Sequence, residues 1–157
     1  MKRNIKGFTL LALASLVISG CSSVPKPKEE PLSRYGNMES YVVFGQRYYT
    51  MNTSRGYDEV GLASWYGKKF HGRLTSNREV YNMYEISAAH KKLPLPSYVE
   101  VTNLKNNKRV IARVNDRGPF HGDRIIDLSY GAARRLDMVD DGIVRVRVRA
   151  VKPYQSK

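Results

Sequence analysis

The chain has 157 residues, a single cysteine, and 27 Lys plus Arg against 14 Asp plus Glu, for a formal charge of +13. One cysteine excludes an intramolecular disulfide, and a surplus of this size bears on polyanionic partners and solubility rather than on fold.

In chain order, "MKRNIKG" is a short cationic start carrying Lys2, Arg3 and Lys6, and "FTLLALASLVISG" is an apolar run of thirteen residues. That run has signal-peptide length and falls short of the roughly 20 residues that span a bilayer. It ends at "ISGC", which resembles the lipobox of bacterial lipoproteins. The resemblance implies cleavage before Cys21 and acylation of that residue. The alternative, a plain secretory signal that happens to contain a cysteine, lacks an A-x-A cleavage site nearby. Ser22 stands where an aspartate would suggest inner-membrane retention, so the expected location is the outer membrane of a Gram-negative envelope, facing the periplasm. Loss of Lys2, Arg3 and Lys6 lowers the formal charge from +13 to +10. Nucleic acid would be the default partner of such a chain in the cytosol. Export points instead to cell-wall glycan, with its lactyl and peptide carboxylates, and to anionic lipid.

Residues 21–40 are rich in Pro, Ser and charge, and predict a disordered tether after the 1–20 signal peptide. "YVVFGQRYYTM" predicts a short strand or hairpin in an N-terminal extension, 41–58, that packs on the domain. The dense part, 59–152, has about ninety residues, enough for one small domain. Within it "GLASWYG", "YVEVTNL", "RVIARVN" and "RIIDLS" predict strands, with "KNNK" as a hairpin turn. Ser129 predicts an N-cap for a short helix over "YGAARRLDM". "GIVRVRVRAV" alternates, with Ile143, Val144, Val146, Val148 and Ala150 or Val151 expected inward and Arg145, Arg147 and Arg149 outward. Many short strands with one short helix predict a mainly β fold, a small barrel rather than an open sheet. Residues 153–157 form a short tail.

No metal-ligand spacing, phosphate loop or G-x-S-x-G elbow is present, and His71, His90 and His121 are scattered, so neither a metal nor a cofactor is expected. What stands out is carboxylates among aromatics: Trp65, Tyr66, Phe70, Glu79, Tyr81, Asp116 and Phe120. Aromatic faces stack on sugar rings, and a carboxylic acid can protonate a glycosidic oxygen. The stretch "ARVNDRGPFHGDRIIDLS" alone holds Asp116, Asp123 and Asp127. Asp116 could equally be a turn aspartate paired with Arg117. Asp123 fits turn chemistry, and Asp127 fits an ion pair with Arg117 or Arg124.

"GLASWYGKKFHGRLTSNREVYNM", "SAAHKKLPLPSYVEVTNLKNNKRVIARVNDRGPFHGDRIIDLS" and "GIVRVRV" together resemble the rare lipoprotein A (RlpA) family. The resemblance implies a six-stranded double-psi β-barrel and a lytic transglycosylase. Such an enzyme cleaves between N-acetylmuramic acid and N-acetylglucosamine of peptidoglycan without water, leaving 1,6-anhydro ends. It maps the family's acidic pair onto Asp116 (general acid, then base) and Glu79, and its active-site histidine onto His90, hydrogen-bonded to one of the two. It places Trp65, Tyr66, Phe70, Arg117 and Phe120 along the sugar-binding surface of a monomer. Two departures stand out. "TSNREVYN" has Arg78 where the family motif has glycine and Asn82 where it has aspartate, so Arg78 is expected to reshape the loop and set a cation beside Glu79. The chain also ends soon after its last strand, and no SPOR module is expected. A non-catalytic wall-binding or wall-loosening module is the competing expectation.

Overall fold

The computed structural model describes residues 24–157, and the expected signal peptide and Cys21 lie outside the described residues. A hairpin comes first: β1 (Ser40–Val43) pairs antiparallel with β2 (Gln46–Tyr49). Its turn places Phe44 and Gly45 at positive φ, the geometry of the tightest hairpin connections. Six strands then close a barrel: β3 (Asp58–Tyr66), β4 (Ser87–His90), β5 (Ser97–Asn103), β6 (Arg109–Asp116), β7 (Arg124–Ser129) and β8 (Val144–Ala150). Their order around the barrel is β3-β7-β4-β6-β5-β8. Two neighbour pairs, β3 with β7 and β4 with β6, run parallel, and the remaining pairs are antiparallel. This is the six-stranded, mainly β barrel expected from sequence.

β8 shows why the strands sit as they do. Val144, Val146, Val148 and Ala150 are buried, while Arg145, Arg147 and Arg149 face solvent. Arg147 pairs with Asp58 and Arg149 with Glu100, so the arginine stripe is a solvated, ion-paired face. Ile143 lies outside this alternation, 54% exposed just before the strand, and the expectation that it points inward is not met. α1 (Tyr130–Arg135) starts at Ser129, whose hydroxyl accepts from the Ala132 amide, and ends with Arg134 and Arg135 against the helix dipole. Gly131 is required there, because a Cβ would lie 2.3 Å from the Tyr84 carbonyl oxygen. Helix residues Ala132, Ala133 and Leu136 join Val99, Val101, Ile126, Leu128, Val146 and Val148 in one core.

The segment expected to be a tether up to residue 40 is bound to the barrel from Glu30 onward. The Glu30 carboxylate pairs with Arg113 and accepts from the Tyr98 hydroxyl. The Ser33 amide donates to Leu95 O at 2.8 Å, and Asn37 exchanges two hydrogen bonds with the Leu95 backbone. Composition misled here, because one buried ion pair and a set of backbone bonds order a stretch with little to bury. The C-terminal tail is pinned as well: Gln155 O accepts from the Ser54 amide, and Gln155 Nε2 donates to Glu30 O.

Candidate active site

Asp116 is the last residue of β6 and stands half-buried at one wall of a cleft of ≈ 570 Å³. Its Oδ1 accepts three hydrogen bonds: from the Ser76 amide at 2.8 Å, the Ser76 hydroxyl at 2.7 Å and the Arg117 amide at 2.7 Å. None of the hydrogen bonds among the described residues engages Oδ2. The carboxylate is thereby held in one orientation. The facing wall comes from the N-terminal segment and the β1 strand, through Tyr35, Gly36, Met38 and Tyr41, and Phe120 completes the apolar lining. Phe120 packs edge-on to Tyr41 at 6.1 Å and against Tyr48 at 5.5 Å.

Arg117 does not pair with Asp116. Its buried guanidinium donates to Gly36 O, His90 O and Leu93 O at 2.6–3.0 Å. It therefore ties the N-terminal segment to β4 and the loop after it, while still lining the cleft with its guanidinium 5.9 Å over the Tyr41 ring.

Glu79 is not among the residues lining the Asp116 cleft; it lines a second depression with Glu85, Ser87, Arg113 and Asn115. Arg113 grips it with two bonds, Nη1 to Oε2 at 2.6 Å and Nη2 to Oε1 at 2.8 Å, and Asn115 Nδ2 adds a third at 2.9 Å. Burial alone would raise the Glu79 pKa, but these donors outweigh it and hold the carboxyl below its ordinary value. The cation beside Glu79 is thus Arg113, not the expected Arg78. Arg78 keeps the backbone that a glycine would supply, at φ +70°, and its guanidinium lies 5.5 Å over the Tyr35 ring at the Asp116 cleft. Thr75 accepts from and donates to the Glu79 backbone, so the same short loop delivers Ser76 to Asp116 and Glu79 to Arg113.

His90 does not meet the expectation of bonding one of the acidic pair. It is 2% exposed, its Nε2 lies 2.7 Å from the Tyr57 hydroxyl, and its Nδ1 accepts from the Lys92 and Leu93 amides at 3.1 and 3.0 Å. Two amides pointing at Nδ1 fix the neutral tautomer with the proton on Nε2. Burial first, then the charges of Arg117, Lys92 and Lys91, push its pKa down to about 3.

The other candidates scatter. Trp65 turns away from the cleft, packs on Tyr130 at 5.5 Å and donates to Val139 O. Tyr66 stacks on Tyr81 at 4.4 Å beneath the barrel surface, and Phe70 packs edge-on to Tyr66 while 43% exposed. Asp127 pairs with Arg124 and accepts from Ser64, which settles it as an ordering ion pair, and Asp123 is exposed in a turn. Sequence reasoning missed Ser76, whose only signal was its place in a polar turn. It also missed Tyr35 and Tyr41, which carry no motif at all.

A closed barrel with two parallel strand pairs and a carboxylate presented at the end of β6 is the double-psi class. The solved Streptomyces papain inhibitor has the same fold, with a TM-score of 0.52 at 21% identity over 62% of this chain and 96% of that one. The model of the lytic transglycolase family matches residues 58–148. Curated proteins named endolytic peptidoglycan transglycosylase RlpA are similar over most of the chain. The one from Pseudomonas aeruginosa is 53% identical over 131 residues, covering 82% of this chain and 38% of its own length. Those from Vibrio cholerae and Neisseria meningitidis serogroup B are also 53% identical, covering 80% and 82% of this chain and 47% and 54% of their own lengths. The chain therefore belongs to the RlpA-type lytic transglycolase family. It spans about half the length of these relatives or less.

Proposed function

We propose that the protein is a lytic transglycosylase that cleaves the MurNAc–GlcNAc bond of peptidoglycan glycan strands. The observation that carries this reading is Asp116 fixed at the wall of an aromatic-lined cleft, with three donors on Oδ1 and no hydrogen bond on Oδ2 among the described residues. Asp116 Oδ2 gives its proton to the glycosidic oxygen as the bond to the anomeric carbon breaks, and the GlcNAc end leaves as an alcohol. The muramyl C6 hydroxyl then attacks its own anomeric carbon and returns a proton to Oδ2, which forms the 1,6-anhydro ring and resets the acid. No water enters the balance. Glu79, locked to Arg113 in the second depression, serves as the anchor of the loop that presents Ser76. His90 serves as a buried support of the backbone to which Arg117 ties the cleft.

The leader supports anchoring of the domain through acylated Cys21, facing the periplasm from the outer membrane. The test of the reaction is product analysis. Purified protein is incubated with intact and with peptide-stripped glycan, and soluble fragments are read by mass spectrometry. Fragments one water lighter than hydrolysis products, abolished by Asp116→Asn in a folded protein, are expected. Retained cleavage in that variant, or reducing ends instead of anhydro ends, sinks the assignment.

A further inference from the structure

Four charged side chains line the Asp116 cleft: Arg34, Arg78, Asp116 and Arg117. Arg117 is consumed by three carbonyls and Asp116 by Ser76 and the Arg117 amide. The other two pair with no carboxylate among the described residues. Arg34 makes no hydrogen bond or ion pair among the described residues, and the Arg78 guanidinium touches only the Tyr35 ring. Lys105, Lys108, Arg113, Arg124, Arg147 and Arg149 each reach an Asp or Glu, and cations that do not, such as Arg47, Arg73, Arg109 and Arg145, lie outside this cleft.

Arg78 is also placed at a cost. A side chain at φ +70° sits in the left-handed region, which disfavours an L-residue by about 1–2 kcal/mol relative to right-handed backbone. The packing on Tyr35 presets its direction toward the cleft and lowers the entropy lost when its fork takes a partner. A guanidinium fork matches a carboxylate bidentately. On the proposed substrate, the sugar rings are neutral and the carboxylates belong to the lactyl ether or to the stem peptide.

We propose that Arg34 and Arg78 form a carboxylate-binding subsite at the mouth of the Asp116 cleft, selecting carboxylate-bearing glycan over neutral chito-oligosaccharide. The inference rests on the glycan reading of the cleft but concerns binding, so it is tested apart from cleavage. In the full chain carrying Asp116→Asn, binding is measured calorimetrically for three soluble ligands of equal sugar number. These are peptide-stripped glycan with free lactyl carboxylates, glycan bearing stem peptides, and chito-oligosaccharide with no carboxylate. Arg34→Gln and Arg78→Gln are each expected to weaken binding of carboxylated glycan by about tenfold, the loss of one charge-assisted contact. Neither is expected to change binding of the neutral ligand. Arg78→Gly, which relieves the positive φ and so folds at least as well, is expected to match Arg78→Gln. Loss confined to stripped glycan assigns the lactyl carboxylate, and loss confined to peptide-bearing glycan assigns the stem. Unchanged affinity in both variants overturns the subsite, as does equal loss for the neutral ligand. Failure of the transglycosylase reading would register separately, as absence of anhydro products from the parent protein.

Discussion

Ser76 closes on Asp116 twice, through its amide at 2.8 Å and its hydroxyl at 2.7 Å, and both bonds fall on Oδ1. The hydroxyl also receives the Arg117 amide at 3.1 Å, so Ser76 and the residue after Asp116 together frame one carboxylate oxygen. An acid that delivers its proton in one direction gains from such a frame, because a misplaced donor forfeits the orientation the transition state needs. Ser76→Ala removes the hydroxyl and leaves the amide bond. The expected result is a fall in kcat of about tenfold with KM little changed, and a stability loss of about 1 kcal/mol, typical of one hydrogen bond. Initial rates on soluble glycan beside a thermal melt check this. An unchanged kcat would mean that the frame plays no part in the rate-limiting step.

A second prediction concerns the segment that walls the cleft. Arg113 holds Glu30 with two bonds at 3.0 and 2.8 Å while it holds Glu79 with two more, so one guanidinium joins the N-terminal segment to the loop that carries Ser76 and Glu79. Burial opposes ionisation of Glu30, yet Arg113 and Tyr98 overcome it and lower its pKa. Arg113→Met leaves two carboxylates without their cation. A loss of about 2–3 kcal/mol is expected, below the range for fully buried pairs because the Glu79 side chain is 40% exposed. Glu30→Ala is milder and more informative: it frees the strand of chain that carries Tyr35 and Gly36. Limited proteolysis should then cut before residue 40 in the variant and not in the parent, and the glycan-cleaving rate should drop with it. Equal protection in both would show that the Leu95 and Arg117 contacts hold the segment alone.

The β-strands with one solvated face were legible because their pattern has period two; in β8 the alternation from Val144 to Ala150 was read from spacing, with Ile143 wrongly included at its start. The Ser129 cap followed from cap chemistry, and the apolar, aromatic run 41–51 gave a strand or hairpin where the structure has the hairpin β1–β2. β4 was not legible. All four residues, Ser87–His90, are buried between β6 and β7, so there is no alternation to detect, and small side chains give no apolar run. Asp116 was found through the family motif, and the structure adds what motif reading lacks, its partner Ser76 40 residues away. The expected pairing of Arg117 with Asp116 or Asp127 and the expected bond of His90 to the acidic pair were misjudged because local sequence cannot reveal that a charged or titratable side chain turns inward to backbone. The ordered segment from Glu30 was missed because its one decisive contact is with Arg113, 83 residues along the chain.

His90 sets a pH limit on the fold. Its unfolded pKa is near 6.5 and its folded pKa is about 3, so between these values the unfolded chain binds the extra proton. Stability from this group is therefore full above pH 6.5 and falls as pH drops toward 3, by roughly 2 kcal/mol between pH 6.5 and 5. Glu30 and Glu79, both with lowered pKa, add loss in the same direction below about pH 4.5. Denaturant unfolding at pH 7 and pH 5 should show the difference. His90→Asn should reduce it while lowering stability at pH 7 through loss of the Tyr57 and Leu93 contacts. An identical slope in the variant would mean that another group carries the proton uptake.

Tyr66 separates a sugar contact from a packing role. Its hydroxyl is buried near Ser87 without a well-formed hydrogen bond among the described residues, and burial first, then the nearby Asp116 and Tyr81, raise its pKa well above 10 against a smaller lowering by Ser87. Its ring is fixed by stacking on Tyr81, whose own hydroxyl donates to the Tyr66 carbonyl at 2.7 Å. A buried, unpaired hydroxyl costs about 1–3 kcal/mol, and phenylalanine keeps the stack without it. Tyr66→Phe is expected to raise stability by about 1 kcal/mol and to leave kcat and KM for glycan unchanged. Denaturant unfolding and initial rates on the same preparation decide the matter. A rise in KM with stability unchanged would instead place the hydroxyl on bound glycan, where a sugar would supply the missing partner.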